Sequence, residues 1–250
     1  MKVVFDDCFY QVYTTDPASA PGRIDAIVDK LPSHAEIVEP EPATEQQLRL
    51  AHTDTHIQDV KSDGLYEISA MAAGGAIHAA RIGLTEPAFA LIRPPGHHAS
   101  ADAAWGFCFF NNMAVALLTL KTEQRIESAM VLDIDLHFGD GTVNILGNKD
   151  WVEISNPVKN SREQYVAEVE RILSGTNADI IGISAGFDNH MQDWGGLMAT
   201  GDYYQIGRMV KLAARAAGGG CFAILEGGYN HSVLGMNAAA LINGMAEPSD

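Results

Sequence analysis

Basic residues are scarce in this chain. Sixteen lysines and arginines stand against 32 aspartates and glutamates, giving a formal charge of −16. Such a surface repels phosphate backbones, which argues against direct DNA or RNA binding. It would attract cationic molecules such as polyamines or basic peptides, but acidity also serves solubility alone, so charge by itself names no substrate. Cysteine is equally sparse. Cys8, Cys108 and Cys221 are scattered with no CxxC pair, which excludes a disulfide framework or a cysteine zinc knuckle and points to a reducing cytoplasm. No apolar run is long enough to span a membrane, and Met1-Lys2-Val3 leads into a strand-like segment instead of a signal peptide. A cytoplasmic location is therefore expected. Internal repeats, low-complexity tracts and linkers are also missing, so residues 1–250 are read as a single domain.

What is present is an ordinary globular composition, 47% hydrophobic and 19% charged over 250 residues, enough for one sizeable core. Apolar runs alternate with amphipathic ones. Strands are expected at Lys2–Phe5, Ile37-Val38, Ala88–Ile92, Ala129–Asp133, Trp151–Ile154, Asp179–Ser184 and Cys221–Leu225. Helices are expected from Pro21 to about Leu31, over Glu45–Ala51 behind a Thr44/Gln47 capping box, and over Ser69–Gly83 and Asn111–Leu120. Further helices are expected over Arg162–Leu173, over Asp202–Ala217 and from near Val233. His52-Thr53-Asp54-Thr55-His56 has the HxxxH spacing of a helical zinc site, but its threonines read as a turn carrying surface or packing histidines. His78 reads as a core or interface residue. The alternation predicts an α/β fold, a three-layer domain with a parallel central sheet and helices on both faces.

The chain is organised around Val131–Gly141, VLDIDLHFGDG. In an extended backbone Asp133, Asp135 and His137 would share one face. Buried carboxylates are costly unless paired or holding a cation, and carboxylate with imidazole suits zinc, with iron or manganese as alternatives. Other polar groups also follow apolar strands: His97-His98 after Ala88–Ile92, Asp188 after Asp179–Ser184, and Tyr229-Asn230 after Cys221–Leu225. Open parallel sheets bind ligands beyond the carboxyl ends of their strands, so four segments converge on one crevice. Asp188 would complete a three-ligand set with Asp135 and His137, leaving a position open, as a catalytic zinc requires. The two histidines of RPPGHHA can be read as ligands or as acid/base groups; adjacent residues in a tight turn rarely both reach one ion, and Asp133 and Asp140 are available to orient imidazoles. Gly227-Gly228 would turn the chain so that the Tyr229 hydroxyl enters the site and donates to an oxyanion.

Taken together, RPPGHHA, GFCFFNN, LDIDLHFGDGT, SAGFD with DWGGL, and EGGYN resemble the motif set of the histone deacetylase family and its bacterial and archaeal relatives, including acetylpolyamine amidohydrolases. The resemblance runs from the opening strand to EGGYNHSVLGMNAAALINGM and implies the arginase–deacetylase fold. It implies zinc (or Fe2+) on Asp135, His137 and Asp188, and His98 as general base and acid paired with Asp140. His97 would be its electrostatic partner paired with Asp133, and Tyr229 would polarise the amide carbonyl. Gly106 and Phe107 would line the acyl channel, with Gly227 and Gly228 beside the substrate. It also implies a structural K+ or Na+ near Asp133 and Ser155, with backbone oxygens of Asp135, His137 and Asn156. The implied activity is removal of acetyl or small acyl groups from N-acetylated amines such as acetyl-lysine or acetylpolyamines, with a small-molecule amine or lysine side chain as partner and neither nucleic acid nor membrane.

The chain departs from that pattern at Phe138, where the family often has a second histidine, and at Ser155–Tyr165, which lacks the family's glycine- and phenylalanine-rich loop. With the compact His56–Ser69 stretch, this predicts a wide, shallow mouth with no obvious aromatic opposite Phe107. Two rivals remain: a two-metal ureohydrolase of the same fold, which would need further bridging ligands, and a non-catalytic acetyl-amine binding module, which would have lost a ligand or the tyrosine.

Overall fold

The computed structural model describes residues 1–247. Seven strands form one parallel sheet: β1 (Lys2–Val4), β2 (Glu36–Val38), β3 (Ala88–Ala90), β4 (Ala129–Asp133), β5 (Val152–Ser155), β6 (Ile180–Ala185) and β7 (Gly220–Leu225). Their spatial order is β2-β1-β3-β7-β6-β4-β5. Every residue of β3, β4 and β6 is buried, as continuous apolar strands covered on both faces should be. The edge strands β2 and β5 are partly exposed.

Nine α-helices pack around this sheet among the described residues: α1 (Arg23–Val28), α2 (Glu45–Leu48), α3 (Asp54–Ser62), α4 (Tyr66–Gly83), α5 (Asn112–Thr122), α6 (Asp140–Leu146), α7 (Arg162–Leu173), α8 (Thr200–Ala216) and α9 (His231–Ala246). The small-residue helix α4 lies against β1, β3, β7 and α5, whereas α8 lies against β6, β7 and α9, and α9 reaches α1. The Thr44/Gln47 capping box forms with both of its hydrogen bonds.

Two local expectations are corrected. The Thr53 side chain accepts the His56 N–H and N-caps α3, so His56 lies in a first helical turn and not in a surface turn. His52 and His56 are both buried packing residues. Secondly, β4 ends at Asp133. Asp133 Oδ1 accepts the Asp135 N–H at 3.1 Å, and Asp135 Oδ1 accepts the His137 N–H at 2.9 Å. Each aspartate therefore bonds the backbone two residues on and bends the chain, so the three side chains do not share an extended face.

Candidate metal centre and active site

The four central strands, β3, β7, β6 and β4, deliver the polar segments to one end of the sheet. Asp135, His137 and Asp188 each offer a ligand atom, and these atoms all lie within 4.8 Å of one another. His137 Nδ1 is 3.2 Å from Asp135 Oδ1 and 3.1 Å from Asp188 Oδ2. Both aspartates are buried while the histidine is partly exposed, which leaves an open side. Their remaining oxygens are committed: Asp135 Oδ2 accepts the Gly227 N–H at 2.9 Å and Asp188 Oδ1 the Leu136 N–H at 3.0 Å. Asp188 Oδ2 is buried without a well-formed hydrogen bond.

The electrostatics show a centre short of positive charge. Burial and the Asp135 charge push Asp188 up to about 6. Hydrogen bonding of its ring N–H to the carboxylates of Asp135 and Asp188 raises His137 to about 10. A divalent cation would replace the His137 proton and satisfy both carboxylates, so the donor set fits one. Glycine is required around it: a Cβ at Gly186 would fall 2.1 Å from Asp135 Oδ2, and one at Gly227 would fall 2.5 Å from the same oxygen and 2.8 Å from Asp188 Oδ2. Gly227 thus lies against these carboxylates, and Gly228, at φ +113°, begins the turn into Tyr229.

Beside this centre, His97 Nδ1 lies 3.0 Å from Asp133 Oδ2 and its Nε2 3.8 Å from Asp135 Oδ1. Burial opposes its charge, but Asp135 and Asp133 outweigh burial and hold His97 well above the ordinary histidine range. His98 Nδ1 lies 2.7 Å from Asp140 Oδ1. Burial and the neighbouring His97 lower its pKa, against the pull of Asp140. One imidazole is therefore biased toward the cation and its neighbour toward the neutral base.

The turn carrying both rings is held from below by Glu226, whose Oε2 accepts the Gly96 N–H at 2.7 Å and the His97 N–H at 3.2 Å. Burial pushes Glu226 up to about 7. His97, Cys108 and Glu226 form a second group of close ligand atoms. Burial raises the Cys108 thiol, which disfavours the thiolate a metal would need; Glu226 Oε2 is engaged by backbone, while its Oε1 is buried without a hydrogen-bond partner.

Tyr229 is fixed on several sides. Its N–H and that of Asn230 donate to Asp193 Oδ2 at 2.8 and 2.7 Å. Trp194 stacks on its ring at 4.0 Å and 27°, and Phe107 meets it edge-on at 6.0 Å. The buried Arg23 lies 5.6 Å from the ring centroid and donates to Gly228 O and Glu226 O at 2.9 and 2.6 Å. Burial raises the phenol pKa, keeping the hydroxyl a donor. Gly106 and Phe107 both have positive φ, +59° and +66°.

Several of these residues escape sequence reading, namely Arg23, Glu226, Trp105 and Trp194. The two tryptophans did leave a signal: of three in the chain, both precede a glycine inside the motif segments AWGF and DWGG. Trp194 adds an aromatic beside the site that the sequence reading did not name: it packs on Tyr229 and approaches His137 edge-on at 6.1 Å. Ser155 closes β5 beside Leu132, and Asn156 Oδ1 accepts the Gly139 N–H at 2.9 Å.

The sequence matches the Histone deacetylase domain family over residues 60–156 and 147–245. A "Probable deacetylase" of Archaeoglobus fulgidus is 30% identical over 78% of this chain and 69% of its own length. A "Histone deacetylase-like amidohydrolase" of Pseudomonas aeruginosa is 30% identical over 72% of this chain and 58% of its own length. The chain spans under half of two plant relatives. Among solved structures, the HDA15 HD domain superposes with a TM-score of 0.86 at 25% identity, covering 99% of this chain and 90% of that one.

Proposed function

This chain belongs to the histone deacetylase family, and from that premise we propose that it is a zinc-dependent amidohydrolase removing acetyl or small acyl groups from N-acetylated amines. The observation that carries the reading is convergence: Asp135, His137 and Asp188, the His98–Asp140 pair and Tyr229 gather beyond the ends of four adjacent strands, with the His98 ring 5.9 Å from that of His137 and Trp194 touching both His137 and Tyr229.

Asp135, His137 and Asp188 would hold the cation, which supplies Lewis-acid polarisation of the acyl carbonyl and activation of water. Tyr229, neutral and pinned by Asp193 and Trp194, donates its O–H to the oxygen that gains charge as the carbonyl becomes tetrahedral. His98 Nε2 faces away from the Nδ1 bond to Asp140, so it takes the proton of the attacking water and then delivers one to the departing amine nitrogen. Asp140 holds the tautomer and stabilises the imidazolium formed in between. His97, held by Asp133 beside the centre, would be the electrostatic partner of His98 where the oxyanion develops. Gly106 and Phe107 wall the acyl channel, Gly227 and Gly228 carry the tyrosine side, and Fe2+ is the alternative metal for this donor set. A K+ or Na+ ion would sit behind the centre on Asp133, Ser155 and the backbone oxygens of Asp135, His137 and Asn156.

The substrates we propose are acetylpolyamines, whose remaining amines are cationic and suit an acidic protein, and acetyl-lysine side chains, which are neutral until the acetyl group leaves, and the residues 1–250 would act as one catalytic domain in the cytoplasm. A two-metal ureohydrolase gains no support from the His97–Cys108–Glu226 group, because its buried thiol is held protonated. A non-catalytic binding module would not require the full set of ligands, bases and tyrosine that is present. Purified protein reconstituted with zinc or ferrous iron, and assayed against N-acetylspermidine-type amines and acetyl-lysine peptides, tests the reading. Acetate release that tracks one equivalent of metal is expected; no release from either class under any metal would overturn it.

A further inference from the structure

We propose that Trp105 is a positioning residue for the His98–Asp140 pair, locking the carboxylate and the imidazole into the geometry that proton transfer needs. The role in transfer rests on the deacetylase reading above; the geometric role does not.

Asp140 opens α6 and its side chain is 45% exposed. An exposed carboxylate bonded through one oxygen can rotate, and water competes for it. Here the second oxygen is also taken, because Trp105 Nε1–H donates to Asp140 Oδ2 at 2.9 Å while His98 Nδ1 lies 2.7 Å from Oδ1. With both oxygens held by donors on different residues, the carboxylate plane is fixed.

The same indole covers the imidazole. The His98 and Trp105 ring centroids are 4.0 Å apart with the planes 36° from parallel, and the His97 ring lies at 4.1 Å. One side chain therefore touches both members of the pair, by a hydrogen bond and by a tilted ring contact. Backbone conformation makes this possible. Gly106 and Phe107 are consecutive left-handed residues, and they send Trp105 over His98 while Phe107 packs against Tyr229. A Cβ at Gly106 would fall 2.4 Å from His98 Cδ2, so only glycine lets the chain pass this close to the ring. Core packing does not account for the tryptophan, because it is 55% exposed. Its contacts are those of a clamp.

A merely structural or substrate-lining tryptophan predicts different behaviour. In Trp105→Phe, which keeps an aromatic face but loses the N–H, kcat should fall about 10- to 100-fold, as for loss of a partner that orients an active-site histidine. KM, metal content and melting temperature should stay near wild type. In an Asp140→Asn background, where the clamp has no carboxylate to hold, the same substitution should cost less than about twofold, because residues acting as a unit are non-additive. Independently of turnover, nitrogen-15 NMR of histidine-labelled protein should show a slowly exchanging His98 Nδ1 proton that broadens by exchange with water in Trp105→Phe. A rise in KM with kcat unchanged, full additivity with Asp140→Asn, or an unaltered His98 proton would each overturn the proposal. Should the wild-type protein hydrolyse no acetylated amine, the deacetylase reading falls, and the NMR comparison alone decides the clamp.

Discussion

His52 and His56 are as deeply buried as His97 and His98; all four side chains belong to residues only 3–4% exposed. Their surroundings differ completely. His52 Nδ1 lies 3.0 Å from Ser100 O and its Nε2 accepts the Asn111 N–H at 2.9 Å, while His56 Nε2 lies 2.7 Å from Phe109 O. The first pair meets backbone; the second meets Asp133 and Asp140. Burial and His56 drive the His52 pKa down to about 3, whereas His97, equally buried, is raised by two carboxylates. Partners, and not burial, decide whether a buried histidine is mortar or machinery. The pairs are also connected, since the backbone that His52 and His56 hold, Ser100 to Asn111, is the loop carrying Trp105, Gly106 and Phe107.

The sharpest way to test that contrast is to remove one member of each pair. His98→Ala should lower kcat by about 10²–10⁴, the usual worth of a positioned acid/base group, with melting temperature and bound metal near wild type; a stability loss instead would place His98 with the mortar. Tyr229→Phe should lower kcat about 10²–10³-fold, comparable to losing one oxyanion donor, again with metal content retained, and unchanged turnover would make the tyrosine structural. His52→Leu should behave in the opposite sense. It strands the Asn111 N–H and the Ser100 carbonyl, so about 1–3 kcal/mol of stability should be lost in urea unfolding, with only a small effect on kcat at permissive temperature.

The acid response of His52 refines the point. Its folded pKa lies below its unfolded value, so the unfolded chain binds the extra proton first. The stability that neutral His52 contributes is complete above about pH 6.5 and is lost as pH falls toward about 3, by up to roughly 4 kcal/mol at the acid end. Urea midpoints measured from pH 7 to 4 should therefore fall less steeply in His52→Leu than in wild type. The smallest expected effect concerns encounter and not either pair. With a charge of −16, kcat/KM for a cationic acetylated amine should drop a few-fold across a salt series as screening sets in at a Debye length of about 10 Å near 0.1 M. A neutral acetyl-amide should hardly respond, and equal responses would remove electrostatic steering from the account.

Much of this arrangement is legible in the chain because it follows local patterns. Each of the seven expected strands overlaps an observed one, and the apolar runs Ala129–Asp133 and Ile180–Ala185 lead directly to Asp135 and Asp188. What local pattern cannot reveal is who meets whom across the crevice. Thr53 looks like a turn former until it caps α3. Asp140, read from sequence only as a partner for an imidazole, also starts α6. The extended-face argument for Asp133 fails because the aspartates capture backbone N–H groups and bend the chain. Trp105 meets Asp140 across 35 positions and Arg23 meets Gly228 across 205, while Trp194 packs on Tyr229 from a separate segment, and no periodicity encodes such separations.

The strand order also has a bearing on how the molecule comes into being. Among the described residues β7 is the last strand in sequence, yet it lies between β3 and β6, pairing Ala88–Ala90 on one side and Ile180–Ala185 on the other. Until residues 220–225 arrive, β2-β1-β3 and β6-β4-β5 are two half-sheets with apolar edges facing one another, and such open edges are aggregation-prone. Closure depends on contacts well over a hundred residues apart in sequence, the kind that form slowly. A ribosome-bound chain that has not yet released its final strand would hold His97 and Asp133 on separate halves, so catalytic competence should appear abruptly, with the sheet's completion, and not build up as the chain lengthens.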